Sequence, residues 1–63
     1  MENNTFWRLI LKINSDPQEK ELIIDYTTLE KAVFYWFLYT NEKENGVAKY
    51  TVCGPLPMNN FTF

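Results

Sequence analysis

Between Phe6 and Ile13 the chain alternates. Trp7, Leu9, Leu11 and Ile13 fall on one side of an extended backbone, and Phe6, Arg8, Ile10 and Lys12 fall on the other. This is the period-2 pattern of a strand with one face in a core. Lys20 to Tyr26 alternates again, with Leu22, Ile24 and Tyr26 on one side and Glu21, Ile23 and Asp25 on the other. Asn14-Ser15-Asp16-Pro17 between the two runs is turn chemistry. The two runs predict an antiparallel hairpin. In the register that sets Trp7 against Tyr26, Leu9 faces Ile24 and Leu11 faces Leu22 on the core side. On the outer side Arg8 meets Asp25, Ile10 meets Ile23 and Lys12 meets Glu21, so both charged pairs are opposite in sign. A slip of one residue turns the charges into the core. Glu21 and Asp25 thus read as cross-strand ion partners rather than as a pair of catalytic carboxylates.

Thr27-Thr28-Leu29-Glu30 fits a capping box with Thr27 as N-cap and Glu30 reaching back. A helix is expected from there to about Tyr39 or Thr40. Asn41 to Gly46 is polar and ends in Asn-Gly, a stop and turn signal. Val47 to Val52 predicts a third strand, with Ala48, Tyr50 and Val52 inward. Pro55 and Pro57 exclude a central strand for the segment that follows. Residues 54–63 are therefore expected as a Pro-containing tail, either loose, polyproline-like, or tucked onto the body through Leu56, Met58, Phe61 or Phe63. The expected fold is a single α+β domain of order β-β-α-β: a three-stranded antiparallel sheet packed against one helix. The first strand is central, and the helix covers its Trp7/Leu9/Leu11 side.

The helical stretch raises the main question. Lys31 to Thr40 holds five aromatic residues, Phe34, Tyr35, Trp36, Phe37 and Tyr39, in a chain of 63. Large side chains are the efficient way to build a core in so small a domain. At about 100° per residue, Leu29, Ala32, Val33, Trp36, Phe37 and Tyr39 form one broad apolar side, expected to be the core face along with Trp7. The remaining arc carries Glu30, Lys31, Phe34, Tyr35 and Leu38. A helix lying on one sheet normally makes that arc polar. Apolar residues there are explained either by the tail folding over them or by a partner, a second copy included.

Composition narrows the functions. Six basic and eight acidic residues give a net charge of −2 with no basic stripe, which argues against phosphate-driven nucleic-acid binding. The chain has no His and one Cys, Cys53. That removes an imidazole general base, a Cys–His pair and a zinc site of neighbouring thiolates, so no cofactor, metal or enzymatic activity is expected. Gly46 and Gly54 are isolated and make no phosphate-cradling loop. No charged segment precedes an apolar run at the N-terminus, and no run reaches a membrane-spanning length. A cytoplasmic location is expected.

The arrangement resembles the small early RNA polymerase inhibitors of T-seven-like coliphages, which place a three-stranded antiparallel sheet against one helix. The likeness rests on Phe6-Trp7 opening the first strand, Thr28 to Ala32 opening the helix, and a last strand from Gly46 to Cys53 ending near Pro55. The family inhibits with arginines on its last strand. Here that strand offers Lys49, with Thr51 and Cys53 in place of further cations. The family's acidic helix start is represented by Glu30, and Lys31 reverses the next charge. The resemblance implies a phage protein that binds a host enzyme or defence complex, with the polymerase at its downstream DNA channel as one candidate. The expected partner-binding residues are Phe34, Tyr35, Leu38, Glu30, Lys31 and Lys49. The alternative is a small homo-oligomeric interaction protein with no inhibitory role.

Overall fold

The computed structural model describes residues 4–60. Strand β1 is Asn4–Ile13, β2 is Glu21–Tyr26, helix α1 is Leu29–Asn41, β3 is Lys43–Glu44, β4 is Val47–Ala48 and β5 is Tyr50–Asn60. The main sheet has three antiparallel strands in the order β2-β1-β5, and β3 and β4 form a separate two-stranded ribbon. The fold is α+β with β1 in the centre, as the alternation predicts.

The β1–β2 register is the one that the core pattern and the charges select. Trp7 faces Tyr26, Leu9 faces Ile24, Leu11 faces Leu22, Arg8 faces Asp25 and Lys12 faces Glu21. Arg8 closes a two-pronged ion pair, donating from Nε to Asp25 Oδ1 at 2.8 Å and from Nη2 to Asp25 Oδ2 at 3.1 Å. The guanidinium holds the Asp25 carboxyl below its usual range. The preceding turn is organised by Asp16, whose carboxylate accepts from the backbone N–H of Gln18 at 2.9 Å and of Lys20 at 3.3 Å.

The helix begins one residue later than the capping-box reading places it. Thr28, not Thr27, is the N-cap, and its side chain accepts from Lys31 N at 3.2 Å. Glu30 then occupies the second helical position, and the third, from which a capping box reaches back, is Lys31.

The third strand also differs from expectation. Asn45 and Gly46 both take positive φ, 55° and 81°. Two consecutive left-handed residues make the tight hairpin turn that Asn-Gly favours, so Lys43–Glu44 pairs with Val47–Ala48. Ala48 therefore leaves the main sheet and is exposed. Asn14 ties the ribbon to the sheet, donating from Nδ2 to Ala48 O at 3.0 Å.

The main sheet resumes at Tyr50, and β5 runs on through the segment expected to be a tail. Tyr50 faces Ile13, Val52 faces Leu11, Leu56 faces Arg8, Pro57 faces Trp7 and Met58 faces Phe6. Residues 54–60 are thus an edge strand, neither loose nor folded over the helix, while Phe61 and Phe63 lie outside the described residues. An edge strand accepts prolines because one side of its backbone needs no partner. A bulge at Gly54-Pro55, opposite Leu9, shifts the register between Arg8 and Ile10. It reverses the parity of the strand: Tyr50 and Val52 share the inner face, and beyond the bulge Pro57 takes it over.

The core is small. Leu9, Leu11 and Ala32 are the buried residues among those described. Ala32 is the buried residue of α1, so its side of the helix faces the sheet. Tyr39 sits half-buried on the same side. The expected core face of the helix is therefore rotated. Leu29, Val33 and Phe37, all placed in the core by the helical wheel, are exposed, Trp36 is exposed as well, and Trp7 is half-buried.

Candidate functional site

The helix packs through buried Ala32, half-buried Tyr39 and Tyr35, whose ring lies on Tyr26, which leaves most of its circumference in solvent. Val33 is 46% exposed, Phe34 57%, Phe37 59% and Leu38 47%. These four form a crest along the top of α1. Its polar ends are Glu30 in the first turn and Asn41 in the last, whose Nδ2 donates to Phe37 O at 2.7 Å.

One flank of the crest is concave. Tyr26, Glu30, Lys31, Phe34 and Tyr35 line an open groove of about 620 Å³. Tyr26 ends β2 and faces inward by strand parity, so the helix that follows lays Tyr35 over it. The two rings stack with centroids 5.0 Å apart and planes 12° apart. Phe34 stands edge-on to Tyr35 at 5.2 Å and 87°. The wall is thus two parallel rings and one perpendicular ring, with a carboxylate and an ammonium from the first helical turn. Such a surface takes an apolar or aromatic side chain and satisfies a polar group at its rim.

The aromatic contacts continue along the flank. Tyr35 lies 6.4 Å from Tyr39, and Tyr39 meets Tyr50 edge-on at 5.4 Å. Burial, and then the neighbouring Tyr39 and Tyr35 hydroxyls, push the Tyr26 phenol up to about 12 from its ordinary 10.0. The neutral phenol is therefore the form the fold favours. The stabilisation is fully present below pH 10 and is lost as the pH rises through about 12. Tyr26→Phe is expected to flatten the alkaline limb of the melting-temperature profile between those two values. An unchanged alkaline limb contradicts the packing of Tyr26 under the helix.

Of the six residues expected at the site, the structure brings Glu30, Lys31, Phe34 and Tyr35 around one groove. Leu38 lies one turn further along the crest. Lys49 is elsewhere: it occupies the bend between β4 and β5, its N–H donates to Glu42 O at 3.0 Å, and its ammonium sits 5.4 Å from the Tyr50 ring centroid. Tyr50, Glu42 and Glu44 hold its pKa above the usual lysine value. Tyr26 joins the groove unforeseen. Its signal in the sequence is its position, the last inward residue before the helix, which puts it beneath the first helical turns.

Among the described residues there is no group of His, Cys, Asp and Glu side chains that could hold a metal ion, and no helix is long and apolar enough to cross a membrane. The fold and the groove together define a small α+β domain with an uncovered aromatic helix. No protein-family model, curated protein or solved structure matches the chain.

Proposed function

We propose that this chain is a non-enzymatic protein-binding module that engages its partner through the exposed side of α1. The observation that carries the reading is the exposure of Val33, Phe34, Phe37 and Leu38 in the middle of a helix whose neighbours already pack on a sheet. Uncovered aromatic and aliphatic side chains cost solubility, and a contiguous set of them marks an interface. The groove beside them supplies the pocket into which a partner inserts an anchor, with Tyr26 and Tyr35 as its rigid wall.

The resemblance to phage polymerase inhibitors gives this module a role: it acts in the host cytoplasm as an inhibitor of a host enzyme, bacterial RNA polymerase being one candidate. The partner is a protein rather than a nucleic acid. The net charge is −2, and Lys49, in the bend before the last strand, has Glu42 and Glu44 as neighbours.

The test is Phe34→Ser combined with Leu38→Ser. The double variant is expected to keep the wild-type circular dichroism spectrum. It is also expected to lose at least about thirtyfold in affinity for its partner, as truncated interface anchors commonly do. Titration onto purified bacterial RNA polymerase checks the candidate target directly. Tagged capture from host lysate, wild type beside double variant, checks the surface. Capture of the same proteins by both chains contradicts the assignment.

A further inference from the structure

The two edges of the main sheet are built differently. β5 closes one side and carries Pro55, Pro57 and the bulge opposite Leu9, devices that keep a further strand from pairing there. β2 closes the other side. Glu21–Tyr26 holds no proline, and its register to β1 runs without a shift. Leu22 faces buried Leu11 but is 46% exposed, as an inward residue is when its strand is the last of the sheet.

The direction of the free backbone groups follows from Gly54. A Cβ on Gly54 runs into the Arg8 carbonyl oxygen, so Arg8 directs its backbone groups at β5. Successive residues of a strand point theirs to opposite sides. Trp7, Leu9 and Leu11 therefore bond to Tyr26, Ile24 and Leu22, and the N–H and C=O groups of Glu21, Ile23 and Asp25 point out of the sheet. The ion pair of Arg8 and Asp25 fits this assignment, because side chains approach more closely where the facing backbones do not bond to each other.

A row of alternating donors and acceptors is met by an extended backbone, and the side chains beside the row decide which one. Glu21 and Asp25 share the outer face with Ile23, and all three are exposed. A second copy of β2 laid antiparallel across Ile23 sets Glu21 against Asp25 of the other copy, a like-charge pair that destabilises the pairing. Cations opposite the two carboxylates favour it instead. On the inner face Tyr26 also lines the groove with Glu30, Lys31, Phe34 and Tyr35. A strand about 4.8 Å beyond β2 sets the residue opposite Tyr26 at this groove.

We propose that the free edge of β2 takes an extended, proline-free segment of the partner protein as a fourth strand, with basic side chains opposite Glu21 and Asp25 and an aromatic anchor opposite Tyr26 in the groove. The proposal rests on the reading of the exposed side of α1 as a protein-binding surface and names the form in which the partner meets it. β1 itself has the required pattern: Arg8 and Lys12 answer Asp25 and Glu21, and Trp7 answers Tyr26.

A synthetic peptide with the sequence of β1, Asn4–Ile13, is therefore the probe, titrated onto the full chain. Amide hydrogen exchange of the free chain is expected to be fast at Glu21, Ile23 and Asp25 and slow at Leu22, Ile24 and Tyr26. Excess peptide is expected to slow the first three. Ile23→Pro removes an outward N–H and leaves the β1–β2 bonds in place. It is expected to weaken peptide binding by about tenfold or more. Ile23→Thr keeps the N–H and a β-branched side chain, and is expected to bind as the wild type does. If Ile23→Pro unfolds, the wild-type exchange pattern decides alone. Absence of binding, or binding that leaves the three amides fast, overturns strand addition. Slow exchange at Ile23 in the free chain overturns it too, because the edge is then already covered. None of these outcomes touches the reading of α1, which fails separately when the Phe34→Ser, Leu38→Ser variant captures the same proteins as the wild type.

Discussion

Leu9→Ala lowers the stability of the folded chain by about 2–5 kcal/mol, the range for truncating a fully buried leucine. Leu9 has no exposed surface and stands at the centre of the central strand. Two of its neighbours hold it fixed: Ile24 across β1–β2, and the Gly54-Pro55 bulge on the β5 side. The cavity left by the missing atoms cannot collapse, because both flanking strands are already paired to β1. With a core this small the loss is a large part of the total. Urea denaturation monitored by tryptophan fluorescence measures it. A midpoint near the wild-type value places the core elsewhere.

Gly54→Ala is the second large effect, expected to cost about 2–4 kcal/mol from backbone strain and overpacking together. Gly54 has φ of 117°, a conformation that side chains rarely adopt. A Cβ there runs into the Arg8 carbonyl oxygen and comes within 3.2 Å of Leu56 N and 3.3 Å of Leu9 Cδ2. The Arg8 oxygen and the Leu56 nitrogen are backbone atoms and cannot move aside without breaking the β1–β5 pairing. The strand beyond the bulge should loosen first. Amide hydrogen exchange is expected to rise at Leu56 and Met58 while Glu21–Tyr26 stays protected. Protection equal to the wild type at Leu56 and Met58 contradicts the close approach at the bulge.

These two sites show what the sequence makes legible and what it does not. The β1–β2 register follows from side-chain parity plus two charge pairs, because any slip puts Arg8 or Asp25 into the core. The third strand is harder. Its inward residues do not keep one parity, since the bulge at Gly54-Pro55 inserts a residue, and its prolines mimic a tail. An isolated Gly before Pro was the local sign of that bulge. The helix orientation is hidden for a different reason. Residues 32 to 39 are all apolar, so no polar arc points to solvent. What sets the rotation is side-chain fit: Ala32 is the buried residue of the helix, Tyr35 stacks on Tyr26, and Tyr39 meets Tyr50 edge-on. That same run made Phe34 and Leu38 stand out as apolar residues away from the sheet, and they are exposed. It gave no means of seeing that Val33 and Phe37 share their situation.

The claim that the crest belongs to an interface, and not to this chain's own core, is tested most directly by thermal melting of wild type and the Phe34→Ser, Leu38→Ser double variant with no partner present. Phe34 and Leu38 are 57% and 47% exposed, and side chains that pack only on a partner add nothing to the stability of the free chain. The two proteins are therefore expected to melt at the same temperature. A double variant that melts well below the wild type contradicts the account, because only side chains of the chain's own core stabilise it when it is alone.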